Sequence, residues 1–173
     1  LGKKGYCALS EYLNQFGAEH VAFVIAARDR GVENDWYAEL AALCASYNID
    51  FSLRNEDKIQ SYPVADYNFA IGWRWLIKGA SGLIVLHDSL LPKYRGFSPL
   101  VNMLIDGVSE IGVTALLASD EYDKGEIIAQ AKMKINYPMK IADAIDRVSP
   151  QYAELVLKTA SELFLMGKLS SLP

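Results

Sequence analysis

The sequence predicts an α/β fold on a mostly parallel, doubly wound sheet, with helices on both faces and an antiparallel edge. Three observations carry this. Short continuous apolar runs, Val21-Ala22-Phe23-Val24-Ile25-Ala26 and Gly82-Leu83-Ile84-Val85-Leu86, read as buried strands. Such runs alternate with stretches of helical periodicity. Near the end, Gly112–Leu117 and Ile127–Ile135 are joined by the polar loop Ser119–Glu126 and read as an antiparallel pair.

Taken in order, Leu1–Tyr6 reads as the end of a first strand and its glycine turn, with the strand itself absent and no initiator methionine. A helix from Cys7 to Phe16 follows, then the strand at Val21–Ala26. Asn34 or Asp35 is placed to cap a helix that runs to Tyr47. Asp50–Leu53 is a weak strand and Tyr67–Gly72 a clearer one. Leu83–Leu86, a helix at Ser98–Ile105 and the antiparallel pair come next. Tyr137-Pro138 breaks the chain before a last helix, Ala142–Met166. Lys78-Gly79-Ala80-Ser81 is a short link between two parallel strands. Because such a crossover normally takes a dozen or more residues, residues are expected to be missing between Ile77 and Gly79.

A chain of 173 residues is one domain, residues 1–173, and buries roughly 70% of its unfolded surface, so it needs neither metal nor disulfide. Cys7 and Cys44 read as free thiols of a reducing cytoplasm. No apolar run is long enough to span a bilayer. A net charge of −4 offers no general attraction to nucleic acid, although a local basic patch could still hold a phosphate.

His87 ends the Leu83–Leu86 strand, and the carboxyl ends of such strands line the ligand crevice of open α/β sheets. A carboxylate partner would hold its ring, and Asp123 is the best candidate, although Asp and Gly favour turns in any case. His20 has no ligand-like company, so no metal site is expected. Ser89 lacks a nucleophile elbow. Lys3 and Lys4 suit either a phosphate or a solvated turn. Trp73 and Trp75 suit either a planar ligand or the core.

The ordered set His87-x-Ser89-Leu90-Leu91-Pro92-x-x-Arg95-Gly96-x-x-Pro99, then Gly112-Val113-Thr114 and Asp123-x-Gly125-x-Ile127-Ile128-x-Gln130, resembles the formyltetrahydrofolate-dependent formyltransferases. That family includes enzymes acting on methionyl-tRNA, glycinamide ribonucleotide and nucleotide sugars. The resemblance covers residues 67 to 136. It implies a Rossmann-like fold and transfer of a formyl group from 10-formyltetrahydrofolate to a primary amine. By position, His87 would stabilise the developing oxyanion and handle protons, with Asp123 orienting it and drawing the amine proton through water. Trp73, Arg74, Trp75, Leu76 and Ile77 match one wall of the pterin pocket. Ala118, Ser119, Asp120, Glu121 and Tyr122 match the other. Asp88, Ser89, Leu90, Leu91, Pro92, Arg95 and Gly96 fall on the acceptor side, where Asp88 either helps bind an amine or caps the turn.

One residue departs from the family pattern. Val85 stands where the family has an asparagine, two positions before the histidine. Losing such a donor typically costs about 2.7–4 kcal/mol. A slower enzyme, a donor supplied from elsewhere and a degenerate folate-binding protein all follow from it. The charge and the Arg95-Gly96-x-x-Pro99 pattern point to a nucleotide-linked amino sugar as acceptor, with no nucleic acid or membrane partner. A non-catalytic folate or nucleotide binder, the methionyl-tRNA and glycinamide ribonucleotide reactions, and formyltetrahydrofolate hydrolysis are the alternatives. The sequence leaves oligomeric state open, a homodimer included.

Overall fold

The computed structural model describes residues 2–54, 64–77 and 80–169. Its elements run α1 (Gly2–Phe16), β1 (Val24–Ala26), α2 (Tyr37–Ser46), β2 (Phe51–Leu53), β3 (Asn68–Ile71), β4 (Leu83–His87), α3 (Pro99–Ile105), β5 (Glu110–Leu117), β6 (Glu126–Lys134) and α4 (Ile141–Met166).

Two sheets result. β1 and β2 pair in parallel, Val24 opposite Phe51. The second sheet has the order β3-β4-β5-β6. β3 and β4 are parallel, with Asn68 opposite Leu83, whereas β4-β5 and β5-β6 are antiparallel. The antiparallel edge therefore extends inward as far as β4: the chain returns through α3 to run β5 antiparallel to β4, and the loop 118–125 turns β5 into β6. The expectation of residues missing between Ile77 and Gly79 concerns residues 78 and 79, which lie outside the described residues.

The core gathers where β4, β5 and β6 meet α4. Ile84, Ile111, Val113, Ala115 and Ala129 point inward from the strands, and Val148, Tyr152 and Leu155 from the helix. Alternation along β4 sends Ile84 and Leu86 into that core, leaving Val85 and His87 on the other face. α1 packs on α4 through Ala8, Tyr12 and Leu13, spaced at three to four residues. Pro150 lies inside α4 without ending it. Cys7 and Cys44 are free, in α1 and α2.

The amino-terminal expectation needs correction. Gly2-Lys3-Lys4-Gly5 is not a strand end and glycine turn but the opening of α1. The inward pattern begins at Gly5 and continues through Ala8 and Tyr12, so tertiary packing outweighs the low helix propensity of two glycines. At α2, Asn34 and Asp35 act as a linked pair of turns. Asn34 Oδ1 accepts from the Trp36 amide at 2.8 Å and Asp35 Oδ1 from Tyr37, the first helical residue, at 3.1 Å.

Candidate active site

His87 ends β4 at its carboxyl end and is buried. Its Nε2 lies 2.8 Å from the Tyr94 carbonyl oxygen. Its Nδ1 lies 3.5 Å from Asp123 Oδ1, within ion-pair range. Both neighbours are hydrogen-bond acceptors, so each ring nitrogen faces a group that can take an N–H hydrogen bond.

Asp123 reaches His87 by an indirect route. The loop after β5 leaves beside the start of β4, where the Ala118 amide donates to the Leu83 carbonyl at 2.8 Å. It then folds back along β4 toward its carboxyl end. Asp123 adopts the left-handed conformation, φ 53°. Its Oδ2 accepts from the Gly96 amide at 2.8 Å, and its carbonyl accepts from Arg95 Nε at 3.0 Å. One carboxylate oxygen thus anchors the loop after β4 while the other faces the imidazole. Gly125 permits the fold: a Cβ there would sit 1.6 Å from the Leu117 carbonyl oxygen.

Beneath His87 the Ser-Leu-Leu-Pro turn is held by a buried polar network. Ser89 Oγ donates to the Lys93 carbonyl at 2.7 Å. Thr114 Oγ1 donates to the Ser89 carbonyl at 2.6 Å and accepts from the Leu91 amide at 3.1 Å and Gln130 Nε2 at 2.9 Å. Gln130 also donates to the Leu91 carbonyl. All the capacity of the Thr114 hydroxyl is used. Ser89 and Leu91 are buried, Leu90 is half-buried and Pro92 exposed, so the first three shape the turn and Arg95 and Gly96 form its accessible rim.

Asp88 faces elsewhere. Its Oδ2 accepts from Lys4 Nζ and its Oδ1 from the Tyr152 hydroxyl at 2.7 Å. Burial, followed by the Asp88 charge and its hydrogen bond, holds the Tyr152 phenol well above its ordinary value. Lys4 and Tyr152 lie 84 and 64 residues from Asp88, and no local sequence signal joins them.

The two expected pterin walls leave opposite flanks of β4. Trp73–Ile77 follows the carboxyl end of β3, with Trp73 and Trp75 in an edge contact of 5.2 Å. Arg74 pairs with Asp29, and the Arg54 guanidinium lies 4.1 Å from the centre of the Trp75 ring. Leu76 is exposed, and Ile77 half-buried. The Trp73 indole N–H is buried with no hydrogen-bond partner among the described residues, an unsatisfied donor on the wall expected to meet a polar heterocycle. On the other flank Ser119, Asp120, Glu121 and Tyr122 are exposed and Ala118 half-buried. Val85 shares the His87 face and pairs with Ala70 and Leu116, neither of which brings a donor side chain. Among the described residues, no three His, Cys, Asp or Glu side chains gather to hold a metal ion.

Residues 54–159 match the family described as formyl transferase. Methionyl-tRNA formyltransferase of Listeria monocytogenes serotype 4a (strain HCC23) is 38% identical over 92 residues, 53% of this chain and 29% of that protein. The counterpart from Halalkalibacterium halodurans is 36% identical over 92 residues, with the same coverage. The chain thus spans less than a third of the length of the curated relatives it matches. Among solved structures, the sugar 3N-formyl transferase WlaRD superposes with a TM-score of 0.76 at 21% identity, covering 98% of this chain and 62% of that one. Glycinamide ribonucleotide transformylase 1 from Symbiobacterium toebii gives 0.75 at 20% identity, covering 99% and 90%. These likenesses establish the Rossmann-like fold, and with the match across more than half its length the chain belongs to the formyl transferase family.

Proposed function

We propose that the protein moves a formyl group from 10-formyltetrahydrofolate to a primary amine, and that the acceptor is an amino group on a nucleotide-activated sugar. The observation that supports the reaction is the His87–Asp123 pair, 3.5 Å apart at the carboxyl end of β4 in a chain of this family. The folate, when bound, supplies a formyl carbon that the amine attacks and from which the folate nitrogen departs. The chain's residues do the rest. His87 donates a proton toward the formyl oxygen as negative charge develops there. Its Nε2 is engaged by the Tyr94 carbonyl, so donation from that nitrogen means exchanging one acceptor for another. Asp123 holds the ring in orientation and draws the amine proton through water. The proton lost by the amine balances the one gained by the departing nitrogen.

Trp73, Arg74, Trp75, Leu76 and Ile77 on one flank and Ala118, Ser119, Asp120, Glu121 and Tyr122 on the other would hold the folate. The Trp73 indole N–H, without a partner among the described residues, and the Trp73–Trp75 pair suit a planar ring with polar edges. Arg95 and Gly96 would meet the acceptor. WlaRD was solved in the presence of dTDP and 5-N-formyl-THF, and the N-formyltransferase from Helicobacter canadensis with folinic acid and dTDP-3-aminofucose. The latter superposes with a TM-score of 0.75 at 20% identity, covering 98% of this chain and 63% of that one. A net charge of −4 also favours a small acceptor over tRNA.

Val85 favours a second reading, a folate or nucleotide binder without turnover. Incubation with 10-formyltetrahydrofolate and a panel of amino sugars, ribonucleotide amines and methionyl-tRNA, paired with calorimetry on a folate analogue, separates the two. Turnover with a nucleotide-linked amino sugar is the expected result. Binding without turnover on any amine would establish the binder, and amine-independent formate release would establish a hydrolase.

A further inference from the structure

Asp88 is the pivot between His87 and the strap that meets its ring. The Ser89 amide donates to the His87 carbonyl at 2.8 Å, closing a γ-turn with Asp88 at its centre. The chain changes direction there, from β4 into residues 89–94. That strap ends on the Tyr94 carbonyl oxygen, which lies 2.8 Å from His87 Nε2 and 3.5 Å from Ser89 Oγ. A small rotation at Asp88 therefore moves the imidazole and its carbonyl neighbour relative to each other.

The side chain of Asp88 decides whether that pivot can turn. Leu86 faces the core beneath α4, and Asp88 points to the same side, whereas His87 points to the other. Tyr152 of α4, only 1% exposed, donates from its hydroxyl to Asp88 Oδ1 at 2.7 Å. The same hydroxyl lies 3.4 Å from the Leu86 carbonyl oxygen, so one group meets both neighbours of His87. Lys4 of α1 donates to the other carboxylate oxygen and stands 5.4 Å from the centre of the Tyr152 ring. Burial holds the phenol well above its ordinary value, which keeps it a donor. Groups from two helices, neither of them bonded to the imidazole, thus fix the backbone on either side of it.

We propose that Lys4, Asp88 and Tyr152 form a positioning clamp, which fixes the turn at Asp88 and so sets the His87 ring against Asp123 and the Tyr94 carbonyl. Both Asp88 oxygens are engaged inward, so Asp88 acts on the reaction through His87 and not by holding the acceptor amine. The effect on turnover rests on the formyl-transfer reading. The effect on the ring does not.

Tyr152→Phe removes the hydroxyl and keeps the shape of the ring in the core. Protein labelled at its histidine ring nitrogens gives separate resonances for its two histidines. His20, whose ring lies 4.8 Å from that of Phe164, is the internal control. Tyr152→Phe and Lys4→Met are each expected to shift the His87 ring resonances and leave those of His20 in place. In both, kcat should fall by about 10–100-fold, as it does when a catalytic group is misplaced, with KM for 10-formyltetrahydrofolate held within about twofold. Asp88→Asn, whose side-chain oxygen still accepts from Tyr152, should retain more of kcat than Asp88→Ala. His87 resonances unmoved in either Tyr152→Phe or Lys4→Met would overturn the proposal, even if the urea midpoint fell. So would a shifted ring with kcat unchanged, or equal losses in Asp88→Asn and Asp88→Ala. A parent that turns over no acceptor would refute the formyl-transfer reading instead, and the ring resonances would then decide the clamp alone.

Discussion

Lys4, in the first turn of α1, donates to the carboxylate of Asp88, the residue that follows His87. The two side chains are only 14% and 17% exposed, and Lys4 Nζ also lies 5.4 Å from the centre of the Tyr152 ring. Removing one partner strands the other's charge in a site with little water. Lys4→Met and Asp88→Asn are each expected to lower unfolding free energy by roughly 1–3 kcal/mol in urea denaturation. The double variant should recover much of that loss. Additive single effects would show that the pair contributes no coupling.

The His87–Asp123 relationship gives the expectation for chemistry. His87→Ala should reduce turnover by about 10²–10⁴ with little change in circular dichroism or urea midpoint. Asp123→Asn should lower turnover while keeping the hydrogen bond from the Gly96 amide, because an amide oxygen accepts where the carboxylate oxygen did. A variant of either residue with unaltered kcat would remove it from the proposed mechanism.

Gly125→Ala isolates the loop from the carboxylate it presents. The added methyl collides with the Leu117 carbonyl, a backbone atom that cannot rotate away, so the loop must shift. Asp123 would leave ion-pair range of His87 although neither residue is altered. The expected result is a kcat close to that of Asp123→Asn, with a shift in the Gly96 amide resonance. An unchanged Gly96 resonance would show that the loop absorbs the methyl without moving.

Asp35, at the start of α2, links folding to pH. Burial alone would raise its carboxyl, but the Tyr37 and Asp29 amides and the Arg28 guanidinium outweigh it and hold it below the ordinary carboxylate range. A carboxyl whose folded value is depressed stabilises the fold above its unfolded value, near pH 4, and loses that contribution as pH falls further. Asp35→Asn should therefore cost about 0.3–1 kcal/mol at pH 7, the usual worth of a carboxylate charge at a helix start. The gap from the parent should narrow below pH 4 in melts run from pH 3 to 7. A constant gap across that range would mean that the charge is irrelevant and only the turn matters.

β1 and β4 were legible because each lies in a compact apolar run whose ends fall at polar or glycine residues. β4 illustrates this: Leu83–Leu86 is apolar, and the first polar residue, His87, is its last. The pairing partners were less legible. Nothing local to Leu83–Leu86 says that one neighbour, β3, is parallel and the other, β5, antiparallel, since that depends on how the chain returns from α3. The start of α1 was misread because Gly2 and Gly5 suggest a turn on propensity, whereas Gly5 is buried within the helix on its inward face. In the site, Asp123 was the best candidate partner for His87, although its Asp-x-Gly setting by itself reads as ordinary turn chemistry. Lys4 and Tyr152 could not be singled out, for their roles arise from folding two distant helices over one carboxylate. The Thr114 hydroxyl lay within the quoted motif, but its place at the junction of Ser89, Leu91 and Gln130 is a property of three segments meeting.

The grip of Gly96 and Arg95 on Asp123 has a mechanical consequence. The rim that would greet an acceptor and the carboxylate that would serve the proton are one linkage, since Gly96 holds Oδ2 and Arg95 holds the carbonyl of the same residue. An ill-fitting acceptor that pushes the rim outward also drags the carboxylate off the imidazole. Discrimination between acceptors would then be written into the speed of the reaction as much as into the strength of the embrace.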